Sequence, residues 1–246
     1  MDREPASVWV TRPRPGNEIT ASFLRAHGLP VLAVPVLEVE SVPFRLPAGS
    51  LPDWIVFVSA NAVRGLESGP ERTLARAKAA ARAACVGRKT AELARKVGWR
   101  VDLVPGTESA RGLAREIVPA RWRSRRVWIP AGDREGSART LLPDALRGAG
   151  ATVQVFGVYR TAARSLTANE RSALAGALPG ASVFHSPSAV DAVFGPGAPA
   201  EILAWRDAAA VAVGPTTALR LEAAGAPRIV TAGDPSDRGV LAALGG

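Results

Sequence analysis

Sulfur, imidazole and phenol are scarce in this 246-residue chain, which holds one cysteine, one methionine, two histidines and one tyrosine. A single cysteine, Cys85, excludes an intrachain disulfide and a thiolate metal cluster. Its setting, Ala83-Ala-Cys-Val86, reads as a buried structural thiol at the entry of a strand. His27 and His185 are too few for a three-histidine metal centre. No apolar run approaches the ~18 residues of a membrane span, and the polar start Met1-Asp-Arg-Glu-Pro5 does not resemble a signal peptide. A soluble, cytoplasmic protein without membrane contact is expected. The chain also lacks a Walker A sequence, a G-x-G-x-x-G turn, H-E-x-x-H, C-x-x-C and a G-x-S-x-G elbow. Neither a metal nor a nicotinamide cofactor is therefore expected.

Positive charge is plentiful, and Arg supplies most of it: 31 Lys and Arg against 22 Asp and Glu, a formal charge of +9. The basic residues are scattered, with one cluster at Arg121-Trp-Arg-Ser-Arg-Arg126. No helix-turn-helix, zinc finger or RNA-binding signature accompanies that cluster, so nucleic acid is not the expected partner. A polyanionic small substrate held by Arg and backbone N–H groups fits the charge better.

The strongest internal signal is a repeat. Trp54-Ile-Val-Phe-Val-Ser-Ala-Asn-Ala-Val63 and Ala181-Ser-Val-Phe-His-Ser-Pro-Ser-Ala-Val190 both run from a β-prone stretch through a serine into a helix-compatible segment. The step from Ser59 to Gly87 is 28 residues, and so is the step from Ser186 to Gly214. Gly98 and Gly225 then close the following helices before the short strands at 101–104 and 229–231.

Two further stretches correspond, but in swapped chain order. Val8-Trp-Val-Thr11 matches Val127-Trp-Ile-Pro130, and the segments after Gly28 and Gly150 align Val31 with Val153 and Pro35 with Gly157. The implied architecture is α/β: two parallel-sheet, flavodoxin-like three-layer domains, one inserted in the other with permuted strand order, joined by a two-stranded antiparallel ladder. The expected division is 1–33 plus 163–246 for the discontinuous domain and 43–152 for the inserted one, with 34–42 and 153–162 as linker strands. Asn17, Ser109 and Ser236 are the expected caps of helices over 18–27, 109–117 and 237–244, and a further helix is expected over 138–147.

Candidate chemistry lies at strand ends. Gly87 with Thr90, and Gly214 with Thr216 and Thr217, would expose N–H donors at helix starts, a setting that holds carboxylate or phosphate. Ordinary helix capping is the alternative reading there, and equally for Ser59 with Asn61 and Ser186 with Ser188. Tyr159 either covers the crossing strand with its hydroxyl in water or presents its phenol to a cleft as a hydrogen-bond or proton donor. His185 is a possible cleft residue without an assigned role. Asp133-Arg134 would either add a ligand contact or lie in solvent.

The ordered set Val8-Trp-Val-Thr-Arg-Pro13, Val56-Phe-Val-Ser-Ala-Asn-Ala-Val63, Val86-Gly-Arg-Lys-Thr-Ala91, Val158-Tyr-Arg-Thr161, Phe184-His-Ser-Pro-Ser-Ala-Val190 and Val213-Gly-Pro-Thr-Thr-Ala218 resembles uroporphyrinogen-III synthases along essentially the whole chain. The resemblance implies two α/β domains with the active site in the cleft. It also implies conversion of hydroxymethylbilane, a polycarboxylate linear tetrapyrrole, to uroporphyrinogen III with ring D inversion and loss of water, without a cofactor. Tyr159 matches the family's tyrosine, which assists departure of the hydroxyl. Ser59, Thr90, Ser186, Thr216 and Thr217 match its cleft hydroxyls, with Gly87, Gly214 and their neighbours offering amides to acetate and propionate. Arg12, Asn61 and Ser188 complete the expected substrate-binding set. A transient handover from hydroxymethylbilane synthase is the one protein contact expected of a monomer. The alternative reading is a non-catalytic two-lobed small-anion binding or sensory module.

Overall fold

A strand such as Trp54-Ile-Val-Phe57 is apolar at every position, and it has a stable place only where both faces of a sheet are covered. A computed structural model describes residues 6–133 and 140–245 and provides that place. Trp54 and Val56 point into one core layer, Ile55 and Phe57 into another, and all four are buried.

The chain opens with β1 (Ser7–Val10), α1 (Gly16–Ala26), the two-residue β2 (Val31–Leu32) and β3 (Leu37–Ser41). It continues through β4 (Trp54–Phe57), α2 (Ala60–Glu67), α3 (Glu71–Ala80), β5 (Arg82–Cys85), α4 (Arg88–Lys96) and β6 (Arg100–Leu103). The helices α5 (Ala110–Arg115) and α6 (Pro119–Trp122) lead to β7 (Arg126–Gly132), α7 (Leu141–Gly148) and the long β8 (Thr152–Ala163). The remainder is α8 (Ala168–Ala175), β9 (Pro179–Phe184), α9 (Pro187–Phe194), a 3₁₀ turn at Ala200–Trp205, β10 (Ala209–Ala212), α10 (Pro215–Ala223), β11 (Ile229–Thr231) and α11 (Asp237–Ala243).

Two compact units result, Met1–Glu38 with Ala162–Gly246, and Val39–Thr161. The first holds the sheet β11-β10-β9-β1-β2, parallel throughout. The second holds β3-β8-β7-β4-β5-β6, in which the five strands from β8 to β6 are parallel. Read outward from β2 and from β8, the two five-stranded orders are the same with the chain entering at a different strand, so the permuted repeat is present in the topology. In the first unit Trp9 and Phe184 pack on one face, Val10 and Val183 on the other. β3 lies beside β8, with Val42 N donating to Val158 O at 3.2 Å; Arg164 N donates to Val36 O at 3.1 Å, so the ladder is antiparallel.

Local signals in the sequence translate directly. Ser109 and Ser236 cap their helices, accepting from Gly112 N and Gly239 N. Gly28, Gly98, Gly150 and Gly225 end helices at φ between 77° and 95°, a backbone region that glycine enters without Cβ strain.

Three expectations are corrected. Asn17 caps nothing: α1 starts one residue before it, and its buried side chain donates to Ala33 O at 3.0 Å, tying the helix to the stretch after β2. Residues 153–162 are more than a linker, because β8 pairs with β7 from Thr152 to Tyr159 and completes the sheet. The short α6 and the 3₁₀ turn had no expected counterpart; each buries a tryptophan, Trp122 and Trp205, in its unit's core. The helix expected over 138–147 begins at Leu141, after Thr140; positions 138 and 139 lie outside the described residues.

Candidate functional site

In the unit formed by residues 39–161, Ser59 follows β4 and caps α2, accepting from Ala62 N at 3.1 Å. Its Oγ also lies 3.2 Å from the hydroxyl of Tyr159, which is 100 residues away in the chain. Tyr159 is 6% exposed, so the reading that leaves its hydroxyl in water does not hold. Its ring lies close against the chain at Gly132, where a Cβ would come within 2.6 Å of it. The contact follows from register: the β7–β8 pairing shifts between Ala131 and Gly132, setting Gly132 opposite Tyr159. Asn61 is half-buried and accepts from Arg64 Nη1 at 3.1 Å.

The helix start at Gly87 is not a vacant donor set. The carboxylate of Glu108 accepts from Arg88 N at 2.9 Å and pairs with Arg88 Nε at 2.5 Å. A Cβ on Gly87 would lie 2.7 Å from that carboxylate. The Arg88 backbone N–H, then its guanidinium, hold the Glu108 carboxyl below its ordinary range. One of the amides expected to be free beyond Gly87, that of Arg88, is therefore occupied: an internal anion sits there, where the positive end of α4 attracts it. Thr90 is buried on the inner side of the helix.

In the other unit, Ser186 caps α9 through Ala189 N at 3.4 Å, and Ser188 is half-buried in its first turn. Gly214 is the cap position of α10, and a Cβ there would meet nothing within 4 Å, so this terminus is open. It nevertheless offers few donors. Pro215 has no N–H, and Thr217 N bonds Gly214 O at 3.1 Å. Thr216, exposed, is what the terminus presents, while Thr217 is buried.

Arg12 follows β1 and sits in a polar group assembled from four elements. Its Nη1 lies 3.4 Å from Thr20 Oγ1, which donates to Asp237 Oδ1 at 2.6 Å. Gly16 makes room for the guanidinium, since a Cβ there would lie 2.5 Å from Arg12 Nε. Burial lowers the Arg12 pKa, and Asp237 acts against that. His185 belongs to this group: burial, then the Arg12 charge, push its pKa down to about 3, so the imidazole is neutral at neutral pH. Among the described residues neither of its ring nitrogens has a hydrogen-bond partner.

Sequence reasoning missed Glu108 and Asp237. An acidic residue beside a helix cap was visible in both Glu108-Ser109 and Ser236-Asp237, but nothing local indicates which distant group each meets. Asp133 Oδ1 accepts from Thr161 N at 3.2 Å, whereas Arg134 lies outside the described residues. Cys85 is fully buried, and burial raises its thiol pKa to about 12, the environment of an inert thiol. Among the described residues no three His, Cys, Asp or Glu side chains come together as a metal site, and no helix is long and apolar enough to cross a membrane.

Residues 18–242 match the family model described as Uroporphyrinogen-III synthase HemD. A Methanothermobacter thermautotrophicus protein, provisionally described as a uroporphyrinogen-III synthase, is 28% identical over 193 residues, 75% of each chain. Among solved structures, the uroporphyrinogen-III synthetase of Helicobacter pylori superposes with a TM-score of 0.65 at 20% identity, covering 97% of both chains. A mutant uroporphyrinogen III synthase of Thermus thermophilus superposes at 0.55 and 20% identity, covering 98% of this chain and 99% of that one. At such identity these two structures establish the common fold.

Proposed function

Because the chain belongs to the uroporphyrinogen-III synthase family of tetrapyrrole biosynthesis, we propose that it is a cofactor-independent lyase that closes hydroxymethylbilane to uroporphyrinogen III, inverting ring D and releasing water. The observation that carries the catalytic part of this reading is the Tyr159–Ser59 hydroxyl pair at 3.2 Å, a direct contact between two candidate residues from distant parts of the chain.

In the proposed reaction the terminal C–O bond breaks as the leaving hydroxyl takes a proton and departs as water. The bonding electrons leave with oxygen, and the pyrrole nitrogen stabilises the resulting azafulvene cation. Ring D is attacked at its already substituted carbon, giving a spiro intermediate. Fragmentation and reclosure at the other carbon invert the ring, and loss of a proton from that carbon restores the pyrrole. The proton delivered at the start is balanced by the one lost at the end.

Tyr159 hydrogen-bonds the leaving oxygen, with Ser59 orienting its hydroxyl. The substrate carries its own electron supply, so the protein's larger contribution is conformational: it holds the bilane so that ring closure is directed through the spiro route. Arg12 and the Thr216 terminus supply carboxylate contacts in one unit, and Ser59 and Asn61 supply polar contacts in the other.

Incubation with freshly prepared hydroxymethylbilane tests the proposal by product identity. Type III isomer in excess of the spontaneous type I product is the expected result. Type I alone, with the bilane nonetheless bound, would instead indicate the non-catalytic anion-binding module.

A further inference from the structure

The densest basic stretch in the sequence, Arg121-Trp-Arg-Ser-Arg-Arg126, has no part in the proposed reaction. It lies in the unit formed by residues 39–161, at the strands' amino ends; β4 and β5 begin at Trp54 and Arg82 there and finish just before Ser59 and Gly87 at the opposite edge. We infer that this edge carries a second, separate binding site, for a small multiply charged oxyanion of the phosphate or carboxylate class.

The site is a recess of about 490 Å³ whose walls include Trp54, Val118, Asp53 and the side chains of Arg82, Arg121 and Arg125. Charge is unbalanced around it. Asp53 already serves Arg126 N at 2.7 Å and has Arg125 and Arg126 guanidiniums at 3.9 and 3.8 Å. Asp102 is shared between Arg82 at 3.4 Å and Arg100 at 3.0 Å. Two carboxylates thus face five guanidiniums, and among the described residues Arg121 has no carboxylate within ion-pair distance. A concave surface with excess charge of one sign concentrates counter-ions.

Aromatic contacts and backbone hydrogen bonds also shape the recess. Those of Arg82 and Arg121 lie over the Trp54 ring, 5.9 and 6.0 Å from its centroid, and Trp54 is braced by Trp122 at 4.7 Å. A guanidinium beside an aromatic ring can still donate its N–H groups to an oxyanion. Arg125 is set by a turn in which Ser124 adopts φ 59°, tied by Ser124 N to Gly150 O at 2.9 Å and Thr152 N to Arg125 O at 2.8 Å. A recess of about 490 Å³ has room for a compact anion.

The test is thermal unfolding and calorimetry of the full chain with inorganic pyrophosphate, with citrate, and with sodium chloride at matched ionic strength. A saturable rise in Tm with pyrophosphate or citrate, absent with chloride, is expected; the stronger of the two identifies phosphate or carboxylate as the preferred source. Affinity should fall about tenfold or more in Arg82→Ala/Arg121→Ala, and likewise in the milder Arg121→Gln if the double variant folds poorly. Both variants should keep wild-type turnover of hydroxymethylbilane, which separates this inference from the proposed reaction. Equal response to chloride, unchanged affinity in folded variants, or displacement of pyrophosphate by much tighter binding of short duplex DNA would each overturn it.

Discussion

The two helices that begin at Gly87 and Gly214 occupy equivalent places in permuted copies of one sheet, yet their amino ends are in different states. Beyond Gly87 the first helical donor, Arg88 N, is taken by Glu108, a carboxylate 20 residues further along the chain. At Gly214 a Cβ would meet nothing within 4 Å among the described residues and the first helical residue is a proline, so the end is open but sparing in donors. The polar groups beside them differ in the same sense. Ser59 and Tyr159 hold each other, whereas Arg12 is packed against Thr20 with the buried ring of His185 in its field. Copies of a fold retain the positions where backbone donors and strand ends occur. Whether such a position is available to a ligand depends on which side chain arrives from elsewhere.

The sharpest break between the copies should come from acid. The His185 pKa is lowered on folding, so between its ordinary value near 6.5 and about 3 the unfolded chain holds a proton that the folded one does not. Stability is therefore highest above about 6.5 and falls as pH drops through that window, by up to ~1.4 kcal/mol per unit, roughly 4 kcal/mol by pH 3. His185→Phe should remove most of this slope in denaturant melts taken from pH 7 to pH 4; an unchanged slope would show that the ring is readily protonated in the fold.

Next in size is the Gly132–Tyr159 contact. Gly132→Val must push the ring away, and turnover should fall about a hundredfold while far-UV circular dichroism stays native-like. Tyr159→Phe should lower turnover about tenfold without abolishing it. Wild-type activity in the phenylalanine variant would remove the proposed role of the hydroxyl.

The open and occupied helix ends can then be compared by paired substitution. Thr216→Ala with Thr217→Ala should raise KM several-fold, consistent with one or two lost hydrogen bonds of ~1 kcal/mol each, and an unaltered KM would sever the α10 end from substrate. Glu108→Ala uncovers the α4 end; a fall in KM of about twofold would mean that substrate competes with the internal carboxylate, and no change would mean that this end is structural. That is the smallest of the expected effects.

Much of this protein follows from its sequence because the causes are local or periodic. Alternating strand and helix signals, Ser109 and Ser236 as caps, the helix-ending glycines and the spacing of two matched serine–glycine pairs all depend on residues a few positions apart or on a repeat visible along the chain. The permuted sheet order follows from them. The tertiary structure alone decided which side chain meets which strand end: Glu108 at Arg88, Tyr159 at Ser59, Asp237 at Thr20, and Asn17 turned inward to Ala33. Those partners are 16 to 217 residues apart. Their meeting is set by sheet register and helix packing, which place remote segments within 3 Å or so of one another and leave no local mark in the amino-acid pattern.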